Sequence, residues 1–279
     1  MKKKVNNSNF FTSFDGTKIF YEIGGNNRRK TTILFLHGLG GNMQAWNGQL
    51  SYFQSKGYQT IAFDLRGHGL SGRPKELDDY ALEKFAEDIF TFLKIYPCKK
   101  VVLVGHCLGG MIVLKLASRM KNQLKAIIVI STSIKPLQSS QFFAKYTKFL
   151  HLLAGLPLKS PLAIGQIKQI SFEKFSGTGD FDLRRITSDI FYTTLQSYLA
   201  TSSYVVTLND VNLLKDISCP TLIIHGAKDH IFPVSNATTL QQNIKQSQLV
   251  ILPTANHIIP INNKKELTYK IETYLDNLV

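Results

Sequence analysis

Cys107, Asp229 and His257 are the side chains of this sequence whose types and placement fit acyl transfer through a covalent intermediate. That chemistry needs a nucleophile, a base within hydrogen-bond reach of it, and an acid that fixes the tautomer of the base. Cys107 ends an apolar run, Val101-Val102-Leu103-Val104-Gly105-His106-Cys107-Leu108-Gly109-Gly110, that passes straight into the helical pattern Met111 to Ala117. Gly105 and Gly109 flank it at a spacing of two, where a Cβ would collide with the neighbouring strand or helix if the turn residue is held in a strained conformation. The positive end of the following helix favours a thiolate there. Asp229 lies four residues past an apolar run ending at His225, and His257 five past one ending at Leu252.

Those runs are the elements that must position the three groups. Val101 to Val104, Thr31 to Leu36, Leu124 to Ser131, Pro220 to His225 and Gln248 to Leu252 read as strands, the β-branched ones buried on both faces. In a parallel sheet the loops after such strands emerge on one edge, so residues distant in sequence converge. Phe14 to Glu22 reads as an antiparallel hairpin around Asp15-Gly16. Gln59 to Phe63 is a further strand, and 43 to 56, Tyr80 to Tyr96 and about Lys264 to Leu278 read as helices. The strand and helix rhythm stops between 134 and 212, where amphipathic helices rich in Phe and Tyr are expected. The chain is thus expected to be an α/β protein, a mostly parallel sheet flanked by helices, with a core of 1–133 and 213–279 and a helical insertion at 134–212.

With 44% apolar and 11% aromatic residues in 279, the chain has ample material for a buried core. The three cysteines are odd in number and widely spaced, without paired secretory or metal-site spacing, and Cys98 and Cys219 read as inert small hydrophobes. Met1 to Lys4 leads into Val5 to Asn9 without an apolar core, so a secretory signal is not expected, and no run approaches membrane-spanning length. A cytoplasmic location follows as the expectation. The net charge of +14 is spread along the chain, and its denser groups lie at ends and loops beside no phosphate loop or aromatic RNA-binding motif, so no nucleic-acid partner is expected. No metal or organic cofactor is implied.

Gly105-x-Cys107-x-Gly109 in its strand-turn-helix setting resembles the nucleophile elbow of the α/β-hydrolase superfamily, which usually carries Ser in the middle. The order nucleophile, Asp, His along the chain is that of the superfamily, and Asp64-x-Arg66-Gly67-His68-Gly69-x-Ser71 resembles a structural loop near its active site. The resemblance implies an eight-stranded-type sheet and makes the 134–212 insertion a cap. It also implies an oxyanion hole from the backbone N–H groups of Leu39, in His37-Gly38-Leu39-Gly40, and of Leu108. His37, Gly38, His106 and the cap aromatics Phe142, Phe143 and Phe191 are the expected substrate-binding residues. His68, His225 and His230 read as structural.

An apolar pocket is expected, with no obvious site for an acidic or amine group, and a small ester-type molecule as substrate. Epoxide hydrolase and dehalogenase chemistry is disfavoured, since it needs an Asp at the elbow. Cysteine at the elbow leaves several readings open. One is a natural hydrolase of esters, thioesters or lactones, resembling the dienelactone-hydrolase-like members that use cysteine. Another is an acyltransferase, since polyhydroxyalkanoate synthases carry a similar Gly-x-Cys-x-Gly-Gly box. A serine hydrolase whose elbow serine has been replaced, and a non-catalytic protein that binds a hydrophobic ligand, complete the set.

Overall fold

The computed structural model describes residues 9–26, 28–120, 123–135 and 167–278. Its strands are β1 (Phe10–Thr12), β2 (Lys18–Gly24), β3 (Thr32–Leu36), β4 (Gln59–Phe63), β5 (Val101–His106), β6 (Leu124–Ile130), β7 (Thr221–Gly226) and β8 (Ser247–Leu252). They form one eight-stranded sheet in the order β1-β2-β4-β3-β5-β6-β7-β8. Pairing is antiparallel for β1 with β2 and for β2 with β4, and parallel from β4 to β8. The expected α/β-hydrolase architecture is the one observed.

Every residue of β3 is buried, as is β5 up to Gly105, because both faces of the central strands are covered. Alternate side chains along β3 divide between two cores. Leu34 and Leu36 pack with α2 (Leu82–Ile95) and α3 (Leu108–Met120). Ile33 and Phe35 pack on the other face with Trp46, with Phe53 of α1 (Asn47–Ser55) and with Leu267 and Ile271 of the C-terminal helix Lys264–Asp276. The helix expected over 43 to 56 is two pieces: a 3-10 turn, Met43–Trp46, capped by the Asn42 side chain on the Gln44 N–H, runs into α1.

Between β6 and β7, the described residues hold no strand. They hold a 3-10 turn Glu173–Phe175, α4 (Leu183–Thr193), α5 (Leu195–Thr207) and a 3-10 segment Val211–Asp216. Leu213 and Leu214 of that last segment are buried in the core against α3, with Ile134. The return from the insertion into the core therefore passes through this segment.

Candidate active site

β5 delivers Cys107 at its carboxyl end, and α3 begins at the next residue. Cys107 has φ of +52°, a left-handed conformation that L side chains adopt at a cost of about 1–3 kcal/mol. Its N–H donates to Ile130 O at 3.0 Å, and its carbonyl accepts from Met111 N–H at 3.1 Å and from Thr132 Oγ1 at 2.7 Å. These bonds over-determine the strained turn. The glycines around it are a packing requirement: a Cβ on Gly105 would stand 2.2 Å from Gly109 O, and one on Gly109 would stand 2.2 Å from Leu36 O.

The loops after β7 and β8 bring the acid and the base together. His257 Nδ1 donates to Asp229 Oδ2 at 2.9 Å, while Asp229 Oδ1 accepts the N–H groups of Ile231 and Phe232 at 2.9 and 2.8 Å. Burial alone would raise the Asp229 pKa, but these bonds and the His257 charge hold it below the ordinary value. Burial likewise opposes a proton on His257. The Cys107 sulfur and the Asp229 carboxylate overcome it by charge and hydrogen bond, and push the imidazole up to about 10. Cys107 and His257 border the same cavity.

The other histidines have structural places. His106 donates from Nε2 to His257 O at 2.8 Å, and burial lowers it to about 3, so it is neutral with Nδ1 free to accept. His68 accepts the Gly40 N–H on Nε2 at 3.2 Å, bracing the loop that carries Leu39. His225 bonds through Nε2 to Phe232 O at 2.9 Å. His37, expected at the substrate, is placed differently: its ring spans from Gly38 O to the Leu65 N–H and is fully buried behind the loop. Both of its nitrogens are already committed, so it does not border the cavity.

Among the described residues, Gly38, Leu39, Ala45, His106, Phe172, Ile258 and Ile261 line the cavity beside Cys107 and His257. Arg185 and Asp189, one turn apart on α4, line it as well, so a largely apolar wall also carries one acidic and one basic group that the sequence does not lead one to expect. Arg185 Nη1 meets Asp189 Oδ2 at 2.8 Å, while Asp189 Oδ1 and Arg185 Nε are buried with no partner among the described residues. Burial outweighs the guanidinium and raises Asp189 to about 7.

Phe191 is not in the lining. Two residues past Asp189 it lies about 200° round the helix, and its ring packs edge-on against Tyr192. Phe142 and Phe143 lie outside the described residues. Phe172 is the phenylalanine in the cavity lining among the described residues, and no periodicity marks it out in the sequence. The N–H groups of Leu39 and Leu108 have no acceptor among the described residues. Leu108 opens α3, where the first N–H groups have no partner within the helix.

A family model described as alpha/beta hydrolase fold matches residues 31–264. Protein ABHD8 of Bos taurus is 29% identical over 213 residues, which are 72% of this chain and 46% of that protein. The chain thus spans about half the length of this relative. Epoxide hydrolase 3 of Xenopus tropicalis is 26% identical over 242 residues, 81% of this chain and 66% of that one. The enol-lactonase from Burkholderia xenovorans LB400 superposes with a TM-score of 0.75 at 20% identity, covering 96% of this chain and 100% of that one. For the esterase EaEST of Exiguobacterium antarcticum the TM-score is 0.77, also at 20% identity, with 97% and 100% covered. The chain belongs to the alpha/beta hydrolase fold family.

Proposed function

We propose that this chain is a hydrolase, cleaving carboxylic esters, or the related thioesters and lactones, through an acyl group carried on Cys107. The observation that supports it most is the His257 imidazole, set between the Asp229 carboxylate and the Cys107 sulfur and kept protonated by both. The Cys107 thiolate attacks the acyl carbon, and the oxyanion that forms is held by the N–H groups of Leu39 and Leu108. Such donors contribute about 3 kcal/mol each to the transition state. The C–O bond then breaks, the leaving alkoxide takes the His257 proton, and a thioester remains.

Acylation removes the charge and the hydrogen bond by which the sulfur kept His257 protonated. Burial is then opposed by Asp229 alone, so the imidazole that has given up its proton stays neutral and can take a proton from water. The hydroxide adds to the thioester, the C–S bond breaks, and the thiolate and imidazolium are restored. The apolar lining of Ala45, Phe172, Ile258 and Ile261 suits an apolar acyl group, and the esterase and enol-lactonase likenesses agree with ester-type substrates. Phe172, Arg185 and Asp189, the described residues of 134–212 that border the cavity, are where a cap would meet this site.

The test is a panel of p-nitrophenyl acyl esters and acyl-CoA thioesters, each with and without an alcohol acceptor. Turnover without acceptor, an acyl adduct on Cys107 by mass spectrometry, and its loss in Cys107→Ala are expected. Product formed only with acceptor would make the chain a transferase, and activity unchanged in Cys107→Ala would remove the nucleophile.

A further inference from the structure

We propose that Asp180 is a positioning residue which, from the segment between β6 and β7, holds the His257 and Asp229 loops in register across Cys107. The proposal rests on the Cys107, His257 and Asp229 reading above.

Asp180 is buried, and each of its carboxylate oxygens takes one main-chain N–H: Oδ1 that of His257 and Oδ2 that of His230, both at 2.9 Å. His230 follows Asp229 directly, so one carboxylate bridges the backbone of the acid's loop to that of the base's loop. A carboxylate removed from water is strongly unfavourable unless donors meet it. Here the donors are peptide groups on either side of the reacting pair.

The result is a base fixed at three points by three separate segments. Asp180 takes the His257 N–H, His106 donates to the His257 carbonyl at 2.8 Å, and Asp229 takes the ring proton at 2.9 Å. Asp180 is itself anchored, since Arg185 Nη2 donates to its carbonyl at 2.6 Å. Two residues earlier, Thr178 O accepts from the side-chain amides of Asn256 and Asn262, each at 2.9 Å. The stretch from 178 to 180 and the loop of His257 therefore move together. A displacement of about 1 Å at a reacting group lowers a rate on the order of a hundredfold, which makes such bracing consequential.

The test follows iodoacetamide alkylation of the full-length chain against pH, with the modified cysteine read by peptide mass spectrometry. Among the described residues, the ionisable groups around His257 and Cys107 are Asp229, His106, His225, Arg185 and Asp189 of α4, Tyr198 of α5 and Asp180, and only the last is altered. In the unaltered protein Cys107 is expected to react faster than Cys98 and Cys219. Asp180→Asn turns one acceptor oxygen into an NH2 group facing a main-chain N–H, which releases one of the two loops. Alkylation of Cys107 on the low-pH side of its profile is then expected to fall about tenfold, with Cys98 and Cys219 unchanged.

An unchanged Cys107 profile in Asp180→Asn overturns the proposal even if the variant melts earlier, because lost stability alone marks a purely structural residue. A Cys107 no faster than Cys98 and Cys219 in the unaltered protein overturns the triad reading, and the positioning role with it. If Asp180→Asn does not fold, hydrogen exchange of the unaltered protein decides. Protection of the His230 and His257 amides like that of β5 amides supports the clamp, and exchange at the rate of open loops overturns it.

Discussion

The sulfur at position 107 helps to set the protonation of the His257 ring, so replacing it is expected to be legible there. In Cys107→Ser the charge and the bond from the sulfur disappear, leaving burial to oppose Asp229 alone. The His257 pKa is expected to fall from about 10, and an NMR titration of its ring protons measures that fall. A ring that still titrates as in the unaltered protein would mean that Asp229 by itself holds the proton. Asp189 offers a second residue-scale check, with the opposite sign to the usual carboxylate. Its folded pKa of about 7 lies above the ordinary carboxyl value of 3.8, so the native state binds more protons than the unfolded state between those two values. Stability is therefore lost as pH rises through that window and is flat above it. Asp189→Asn, which cannot titrate, is expected to abolish this slope. Urea melts of both proteins across the window give the comparison.

At the scale of elements, the elbow works because β5, α3 and β3 approach closer than any side chain permits. Gly109→Ala would put its Cβ 2.2 Å from the carbonyl oxygen at the end of β3, a backbone atom that cannot swing away. Overpacking of this kind costs about 1–3 kcal/mol or more, and a shift of the denaturant midpoint by that amount is expected. An unshifted midpoint would show that strand and helix can separate freely. The same closeness explains what could be read from sequence. Central strands such as β3 and β5 announce themselves as continuous apolar runs, and the Gly105 and Gly109 bracket of Cys107 is a packing demand written in residue type. Backbone donors such as the Leu39 and Leu108 N–H groups leave no side-chain trace and came from the family resemblance alone. Asp180, Arg185 and Asp189 were missed because they lie in a segment without motif, and their partners are main-chain groups 50 and 77 residues away or a neighbour on the same helix. His37 was misplaced for the converse reason: proximity in sequence to the glycine loop says nothing about which way a ring turns. A signal for α4 existed in the spacing of Arg185 and Asp189, which puts opposite charges on one face.

For the molecule as a whole, the group that ties the site's surroundings to the far side of the sheet is Arg66. Its side chain is fully buried, with Nη2 at 2.6 Å and Nε at 2.7 Å from the two oxygens of Asp88 on α2. Nη1 reaches Asp15 in the β1–β2 turn at 3.0 Å and the carbonyl of Asp79 at 2.9 Å. One guanidinium thus joins the hairpin, α2 and the loop whose His68 braces Gly40. Removing one partner of a buried pair leaves the other charge uncompensated and costs about 3–5 kcal/mol, whereas replacing both by apolar groups of similar volume is often close to neutral. Arg66→Met is therefore expected to destabilise by about 3–5 kcal/mol, and Arg66→Met with Asp88→Leu by clearly less, because Asp88, which burial already pushes above its ordinary pKa, no longer stands alone. A double-mutant cycle in urea measures both quantities. Equal losses in the single and the double variant would mean that the three elements are held by packing around Arg66 and not by its charge. Alkylation of Cys107 separates this scale from that of the site: in folded Arg66→Met its pH midpoint is expected to stay where it is, since Arg66 is not among the groups that act on His257. A shifted midpoint would make the braced loop, with Leu39 at its tip, part of the machinery that sets the ion pair.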